Sequence, residues 1–275
     1  MEVIEERIAG HPCFDESACH VSGRIHLPVA PYCNIQCNYC DRRFDCVNES
    51  RPGVCSRVLS PDEALDRLED AIKEAPYIKV VAIAGPGEPL ANEGTFETLK
   101  MAKERFPELK RCLSTNGLLL SEKIADLLDI GLNTLTITMN ALDPAVGAEI
   151  YSLVRYNGEI LKGKEGAKLL IEKQIKGLRD AVSSGIIVKI NTVYVPGIND
   201  REITKIAELG KREGAFIQNV IPLIPQYNFS SMRAPTAEEM RSVRGLSGAY
   251  MKQMLHCAHC RADAAGLLGR DIRMD

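Results

Sequence analysis

With 275 residues, 45% hydrophobic and 26% charged, and a formal net charge of −3, the chain has the make-up of a globular protein of α/β-barrel size. That charge offers no basic face for nucleic acid or an anionic membrane surface, no apolar run approaches the roughly 20 residues needed to span a bilayer, and the acidic start MEVIEERIAG has no signal-peptide core. A cytoplasmic monomer without nucleic-acid or membrane partners is therefore expected.

The first predicted strand, residues 24–29, precedes a cysteine-rich stretch. A helix over 60–75 follows. Ser60 is its N-cap, Pro61 stands at N1, and Glu63 closes a capping box. Ala64, Leu65, Leu68 and Ile72 recur along it at helical spacing. The run IKVVAIA at 78–84 is short, apolar and β-branched, as in a strand buried on both faces. Further strands are predicted over 109–114, 134–139, 186–195 and 216–224. Helices over about 95–105, 121–130, 144–152, 164–184 and 201–213 alternate with them. Six β/α units require a parallel sheet but are too few for a closed eight-stranded barrel. The expected fold is thus α/β, a partial (β/α)6 TIM-like barrel, with a doubly wound open sheet as the alternative. In both, active sites gather at the C-terminal ends of the strands. One domain over 1–275 is expected, with a core at 24–225 flanked by extensions at 1–23 and 226–275.

Ten cysteines are many for a chain without an export signal, where reducing conditions keep thiols free. Seven fall between Cys13 and Cys55, Cys257 and Cys260 form a late pair, and Cys112 stands apart. Such clusters with interspersed histidine point to metal or iron–sulfur ligation, structural zinc being the plainer reading. Cys33, Cys37 and Cys40 are spaced C-x3-C-x2-C directly after the first strand. Three thiolates hold three irons of a cube and leave the fourth open to a chelating substrate. Gly85-Pro86-Gly87-Glu88-Pro89 forms a turn after the second strand, and Ser114, Asn116 and Asn191 are polar groups expected to face a cavity. Taken singly, Cys112 would be a small core residue and His26 an ordinary buried or surface histidine.

The segment C-N-I-Q-C-N-Y-C, with Tyr39 before its third cysteine, resembles the cluster motif of the radical S-adenosylmethionine (SAM) superfamily. Gly85–Glu88 resembles that superfamily's GGE motif. The resemblance implies a SAM-cleaving [4Fe-4S] cluster on Cys33, Cys37 and Cys40, with SAM contacted by Gly85, Gly87, Glu88, Ser114, Asn116 and Asn191. A narrower similarity covers H-P-C at 11–13, A-C-H at 18–20, His26, R-R-F-D-C-V-N-E-S-R-P-G-V at 42–54, Gly85–Leu90 and C-A-H-C at 257–260. Together these resemble the NifB family of nitrogenase cofactor maturases, in the short form typical of methanogens.

That resemblance implies two further four-iron clusters, K1 and K2, as substrates. Their ligands would be Cys13, His26 and Cys112 for K1, and Cys19, Cys257 and Cys260 for K2. One SAM would donate a methyl group to a cluster sulfide and a second would supply the radical that abstracts hydrogen from it. The product would be the carbide-containing [8Fe-9S-C] precursor of the nitrogenase cofactor. Cys46 and Glu49 would transfer protons or transiently bind a cluster, and Arg51 would offset cluster charge. Partners would be the cluster-donor, electron-donor and cofactor-carrier proteins of nitrogenase assembly. His11, His20, His256 and His259 would support the ligands, and Cys55 has no assigned role. A molybdopterin-precursor synthase or a peptide maturase with auxiliary clusters is the alternative enzyme, and an iron–sulfur or zinc scaffold the non-enzymatic one.

Overall fold

The computed structural model describes residues 2–46 and 54–272. A short helix α1 (Glu2–Ile8) leads to β1 (Gly23–His26), and the cysteine motif contains β2 (Ile35–Cys37). The repeat continues as α2 (Pro61–Glu74), β3 (Ile78–Ile83), α3 (Glu93–Arg105), β4 (Lys110–Thr115), α4 (Leu120–Asp129), β5 (Thr134–Thr138) and α5 (Pro144–Ile150). A hairpin of β6 (Tyr151–Tyr156) and β7 (Glu159–Leu161) is inserted before α6 (Gly163–Ser183), β8 (Ile187–Tyr194), α7 (Glu202–Arg212) and β9 (Ile217–Pro222). Helix α8 (Ala237–Gly248) and the short strands β10 (Ala265–Leu267) and β11 (Arg270–Asp271) follow.

The main sheet has the order β11-β10-β1-β3-β4-β5-β8-β9, and its six β/α strands are all parallel. This is the expected partial (β/α)6 barrel. The local signals act as predicted. Ser60 and Glu63 form a reciprocal capping box with Pro61 in the first turn of α2, which buries Ala64, Leu65, Leu68 and Ala71 against the sheet. Each such leucine contributes about 1.5–3 kcal/mol through burial. Strands β5 and β8 are buried at every position, as in a sheet covered on both faces, and β8 buries Lys189 and Asn191 among its apolar and β-branched residues.

One predicted boundary is corrected. The helix expected over 144–152 stops at Ile150, because Tyr151–Tyr156 turns into an extended strand pairing antiparallel with β2. The tail also does more than follow the repeat. Residues 252–254 lie along the β9 edge, with Gln218 N donating to Lys252 O (2.9 Å) and Met254 N to Gln218 O (2.8 Å). Strand β10 takes the β1 edge on the other side, joined there by His26 N donating to Ala264 O (2.8 Å). The chain between them, carrying Cys257 and Cys260, therefore bridges the two open edges of the barrel. The tail thereby covers the β1 edge and the start of the β9 edge. The N-terminal segment packs under the N-terminal ends of the strands. There His11 Nε2 pairs with Thr134 Oγ1 (3.1 Å), Lys110 Nζ donates to Arg7 O (2.9 Å), and Phe14 stacks on Phe216 at 6.4 Å. No helix among the described residues is long and apolar enough to cross a membrane.

Candidate active site

Two pockets meet inside the barrel. The upper one, at the C-terminal strand ends, is lined by Cys33, Cys37, Cys40, Arg42, Cys46, Gly87, Glu88 and Ser114–Asn116. The cysteine loop is held from several sides. β2 pairs with β6, Asn38 N donates to Ile150 O (2.8 Å), and Gln36 Nε2 donates to Cys37 O (3.0 Å) and Cys40 O (2.6 Å). Tyr39 is buried and its hydroxyl accepts from Asn140 Nδ2 (2.7 Å). The Gly-Pro turn is zipped to the chain just before Cys33 by Gly87 N donating to Ala30 O (2.5 Å) and Glu88 N to Tyr32 O (2.8 Å). Gly87 is required by this approach, since a Cβ there would lie 2.3 Å from Tyr32 O.

Glu88 lines the upper pocket, and its carboxylate accepts from Thr115 Oγ1 (2.5 Å), Asn116 N (2.7 Å) and Leu90 N (3.1 Å), so it also fastens the end of β4. Asn116 Nδ2 in turn donates to Asn34 Oδ1 (2.7 Å) inside the cysteine motif. Burial pushes the Glu88 carboxyl up to about 7, against the three donors that lower it.

The residues around the upper pocket suit a cluster. Burial, and then the nearby Glu88 charge, push the Cys33 thiol up to about 12. Burial and the neighbouring thiols push Cys37 well above its ordinary value. Such thiols become thiolates only beside a strong cationic centre, which cluster irons provide. Cys33, Cys37 and Cys40 would hold that cluster, and the adjoining backbone of Gly87 and the polar end of β4 would face its ligand.

The lower cavity runs down the barrel interior and shares Ala84 and Ser114 with the upper pocket. Cys13, His26, Cys112, Cys257 and Cys260 all line it. Strand register explains why. His26, Ala82, Cys112 and Thr134 stand in one row across β1, β3, β4 and β5. Side chains two apart along a strand share a face, so the next inward row is Ser114, Thr136 and Lys189, and the one above it Thr138, Asn191 and Asn219. His26 Nδ1 lies 2.9 Å from Arg261 O, so a proton on Nδ1 leaves the lone pair on Nε2. Burial, followed by the Arg24 charge, lowers His26 to about 3 and keeps it neutral. Cys13 is pushed up to about 11 by burial, opposed by Lys189 and reinforced by Cys112 and Cys257. Arg24 is 1% exposed and donates to Cys260 Sγ from Nε (3.3 Å) and Nη2 (3.1 Å), to Gly266 O (2.8 Å) and to Asp271 Oδ1 (2.7 Å).

Of the residues expected to hold auxiliary clusters, Cys13, His26, Cys112, Cys257 and Cys260 line the barrel interior and its lower end, below the C-terminal strand ends. Cys19 is buried on an Asp15-capped turn and does not line the cavity, so ligation by it requires the 10–22 segment to rearrange. Asn191 faces the lower cavity, where its Oδ1 accepts from Asn219 Nδ2 (3.2 Å), and not the upper pocket. Gly85, at φ +150°, forms the turn without lining either pocket. Cys46 does join the upper pocket, while Glu49 and Arg51 lie outside the described residues. His11 is neutral, lowered to about 3 chiefly by burial, and accepts from Cys13 N (3.2 Å). His256 Nε2 pairs with Pro12 O (3.1 Å), and His259 lines the lower cavity. Arg24 and Lys189 went unread in the sequence. Lys189 had a usable signal, standing two residues before Asn191 in the same strand and hence on the same face. Among the described residues, no three His, Cys, Asp or Glu side chains converge as a site for a single metal ion, and the donors instead ring the two pockets.

The fold and the three-cysteine pocket define the class. Residues 27–210 match the model of the radical SAM superfamily, and the chain is a member of it. A radical SAM methyltransferase from Sphaerobacter thermophilus superposes with a TM-score of 0.61 at 16% identity, covering 88% of this chain and 69% of that one. Within the superfamily, the chain belongs to the NifB family. It is 48% identical to the FeMo cofactor biosynthesis protein NifB of Methanocaldococcus infernus, over 98% of this chain and 89% of that protein. It is 44% identical to the NifB of Klebsiella pneumoniae over 98% of its own length, spanning 59% of that relative. Family membership sets aside the molybdopterin-precursor and peptide-maturase alternatives.

Proposed function

We propose that this chain acts in nitrogenase cofactor biosynthesis as a radical SAM carbide synthase, fusing two four-iron clusters into the [8Fe-9S-C] precursor. One observation carries the reading: the pocket ringed by Cys33, Cys37 and Cys40 shares Ala84 and Ser114 with a cavity lined by seven further Cys and His residues. When bound at Cys33, Cys37 and Cys40, the cluster supplies the electron for reductive cleavage of SAM. The chain's own residues do the positioning. Gly87, Glu88 and Asn116 hold the SAM end of the pocket in register with the cysteine loop. Cys13, His26 and Cys112 are proposed to hold the substrate cluster K1, and Cys257 and Cys260, with Cys19, the substrate cluster K2. Few protein bonds per substrate suit clusters that must rearrange and leave, and the two adjoining pockets would bring a SAM-derived methyl group close to them. Cys46, which lines the upper pocket, is proposed to relay protons there. The cluster-donor, electron-donor and carrier proteins of the pathway are proposed as its partners, with the chain a cytoplasmic monomer.

The test is anaerobic reconstitution with iron and sulfide, reduction, and addition of SAM. About twelve irons per chain, as for three four-iron clusters, with both S-adenosylhomocysteine and 5′-deoxyadenosine formed, is the expected result. About four irons and no S-adenosylhomocysteine would refute it.

A further inference from the structure

The cysteine loop has an outer face as well as an inner one. Cys33, Ile35 and Arg42 line the upper pocket from within, and the same three residues line a shallow pocket on the outer surface, together with Tyr32, Leu153 and Arg155. A cluster on Cys33, Cys37 and Cys40 would therefore lie closely behind this surface. Tyr32, the neighbour of Cys33, is 49% exposed, and Arg42 and Arg155 are exposed beside it. Arg155 is tied to the motif through its backbone, N donating to Asn34 O (2.8 Å). Arg42 donates from Nη2 to Pro31 O (2.7 Å), while the adjacent Asp41 carboxylate is held by Arg43 at 2.6 Å. Among the described residues, the outer pocket is lined by these two arginines and by no carboxylate. Charges of both signs, Lys123, Glu93 and Glu159, meet only in the neighbouring groove.

Tyrosine and arginine beside modest apolar surface are the residue types that anchor protein interfaces. Electron transfer weakens steeply with distance, so a reductant must seat where the cluster lies nearest the exterior. The chain's net charge of −3 repels an acidic partner in general, which leaves a local cationic face to orient one. We infer that the Tyr32–Arg42–Arg155 face receives a small acidic one-electron carrier protein that reduces the SAM cluster. One electron leaves the carrier's flavin or iron–sulfur centre and enters the oxidised cluster, and no atom is transferred. The inference gives the electron donor of the proposed function a docking face. It rests on that reading's cluster at Cys33, Cys37 and Cys40 and is independent of the fate of K1 and K2.

The test measures 5′-deoxyadenosine formed from SAM by the reconstituted protein under two reductants. One is flavodoxin hydroquinone, an acidic flavin carrier, and the other is dithionite, which needs no docking face. With subsaturating flavodoxin, charge reversal in Arg155→Glu should slow the reaction about 10-fold or more at ~0.01 M salt. The difference should vanish toward ~1 M salt, where screening confines the interaction to about 3 Å. Arg155→Lys should stay near the wild-type rate, and both variants should match wild type with dithionite. If Arg155→Glu misfolds and fails with dithionite too, Arg155→Gln takes its place, with a loss of the same sign and salt dependence expected. Flavodoxin-driven rates that are equal in wild type and variant at low salt would overturn the inference, as would wild type that turns over with dithionite but not with flavodoxin. Wild type forming no 5′-deoxyadenosine with dithionite would instead refute the cluster assignment in the proposed function.

Discussion

Replacing Glu88 by glutamine isolates one buried carboxyl that fastens the SAM-side loop to the end of β4. Its pKa stands near 7 in the folded chain against an ordinary value of 4.5, with burial as the dominant cause. A folded-state pKa above the unfolded one means that the protonated form is favoured by folding. The associated stability is present below about pH 4.5 and is lost as pH rises through about 7. At 1.36 kcal/mol per pKa unit, the wild type should lose about 2 kcal/mol of stability between pH 5.5 and pH 8 through this group alone. Glutamine is isosteric and does not titrate. Its amide also presents a donor where Asn116 N needs an acceptor, a mismatch costing about 1–3 kcal/mol at every pH. Urea unfolding of cluster-free wild type and Glu88→Gln, under reducing conditions at both pH values, should therefore show the stability difference moving by about 2 kcal/mol in favour of the variant as pH rises. Parallel pH profiles would refute the reasoning, since they would mean that Glu88 is no more perturbed in the folded chain than in the unfolded one.

Replacing His26 by alanine removes a neutral histidine nitrogen from the lower cavity. It should weaken one auxiliary cluster signal in electron paramagnetic resonance while leaving the SAM-cluster signal intact. Substitution of Gly87 by alanine drives a Cβ into the backbone at Tyr32 and should cost at least about 1–3 kcal/mol in denaturant unfolding and abolish SAM binding in equilibrium dialysis. Thr236→Ala opens the capping box of α8 and should lower stability by about 1 kcal/mol, read as a fall in midpoint temperature.

Much of the scaffold was legible because its signals are local. The Ser60–Glu63 capping box, the IKVVAIA strand and the regular alternation of helix and strand place the six β/α units within a few residues. The helix over 144–152 was overextended because its end is set by pairing of Tyr151 with Cys37, more than a hundred residues away. The Thr236–Glu239 capping box that starts α8 is the same local motif as that of α2, and it was there to be read. The tail's position across the open barrel depends on hydrogen bonds to strands at both edges, which no local pattern announces. The same division holds for the site. Spacing identified Cys33, Cys37 and Cys40, whereas only register reveals that His26 and Cys112 share a row and that Lys189 stands above them. Glu88 was found by its motif, but its carboxylate's direction depends on Thr115 and Asn116, brought to it by a neighbouring strand.

The central claim is that the radical acts on a SAM-derived methyl group delivered to a cluster in the lower cavity. Incubating the reconstituted, reduced protein with SAM carrying a trideuterated methyl group, followed by mass spectrometry of the released nucleosides, tests it directly. The account predicts deuterium in the 5′-deoxyadenosine. Unlabelled 5′-deoxyadenosine formed alongside S-adenosylhomocysteine would contradict it, because the abstracted hydrogen would then come from somewhere other than the transferred methyl.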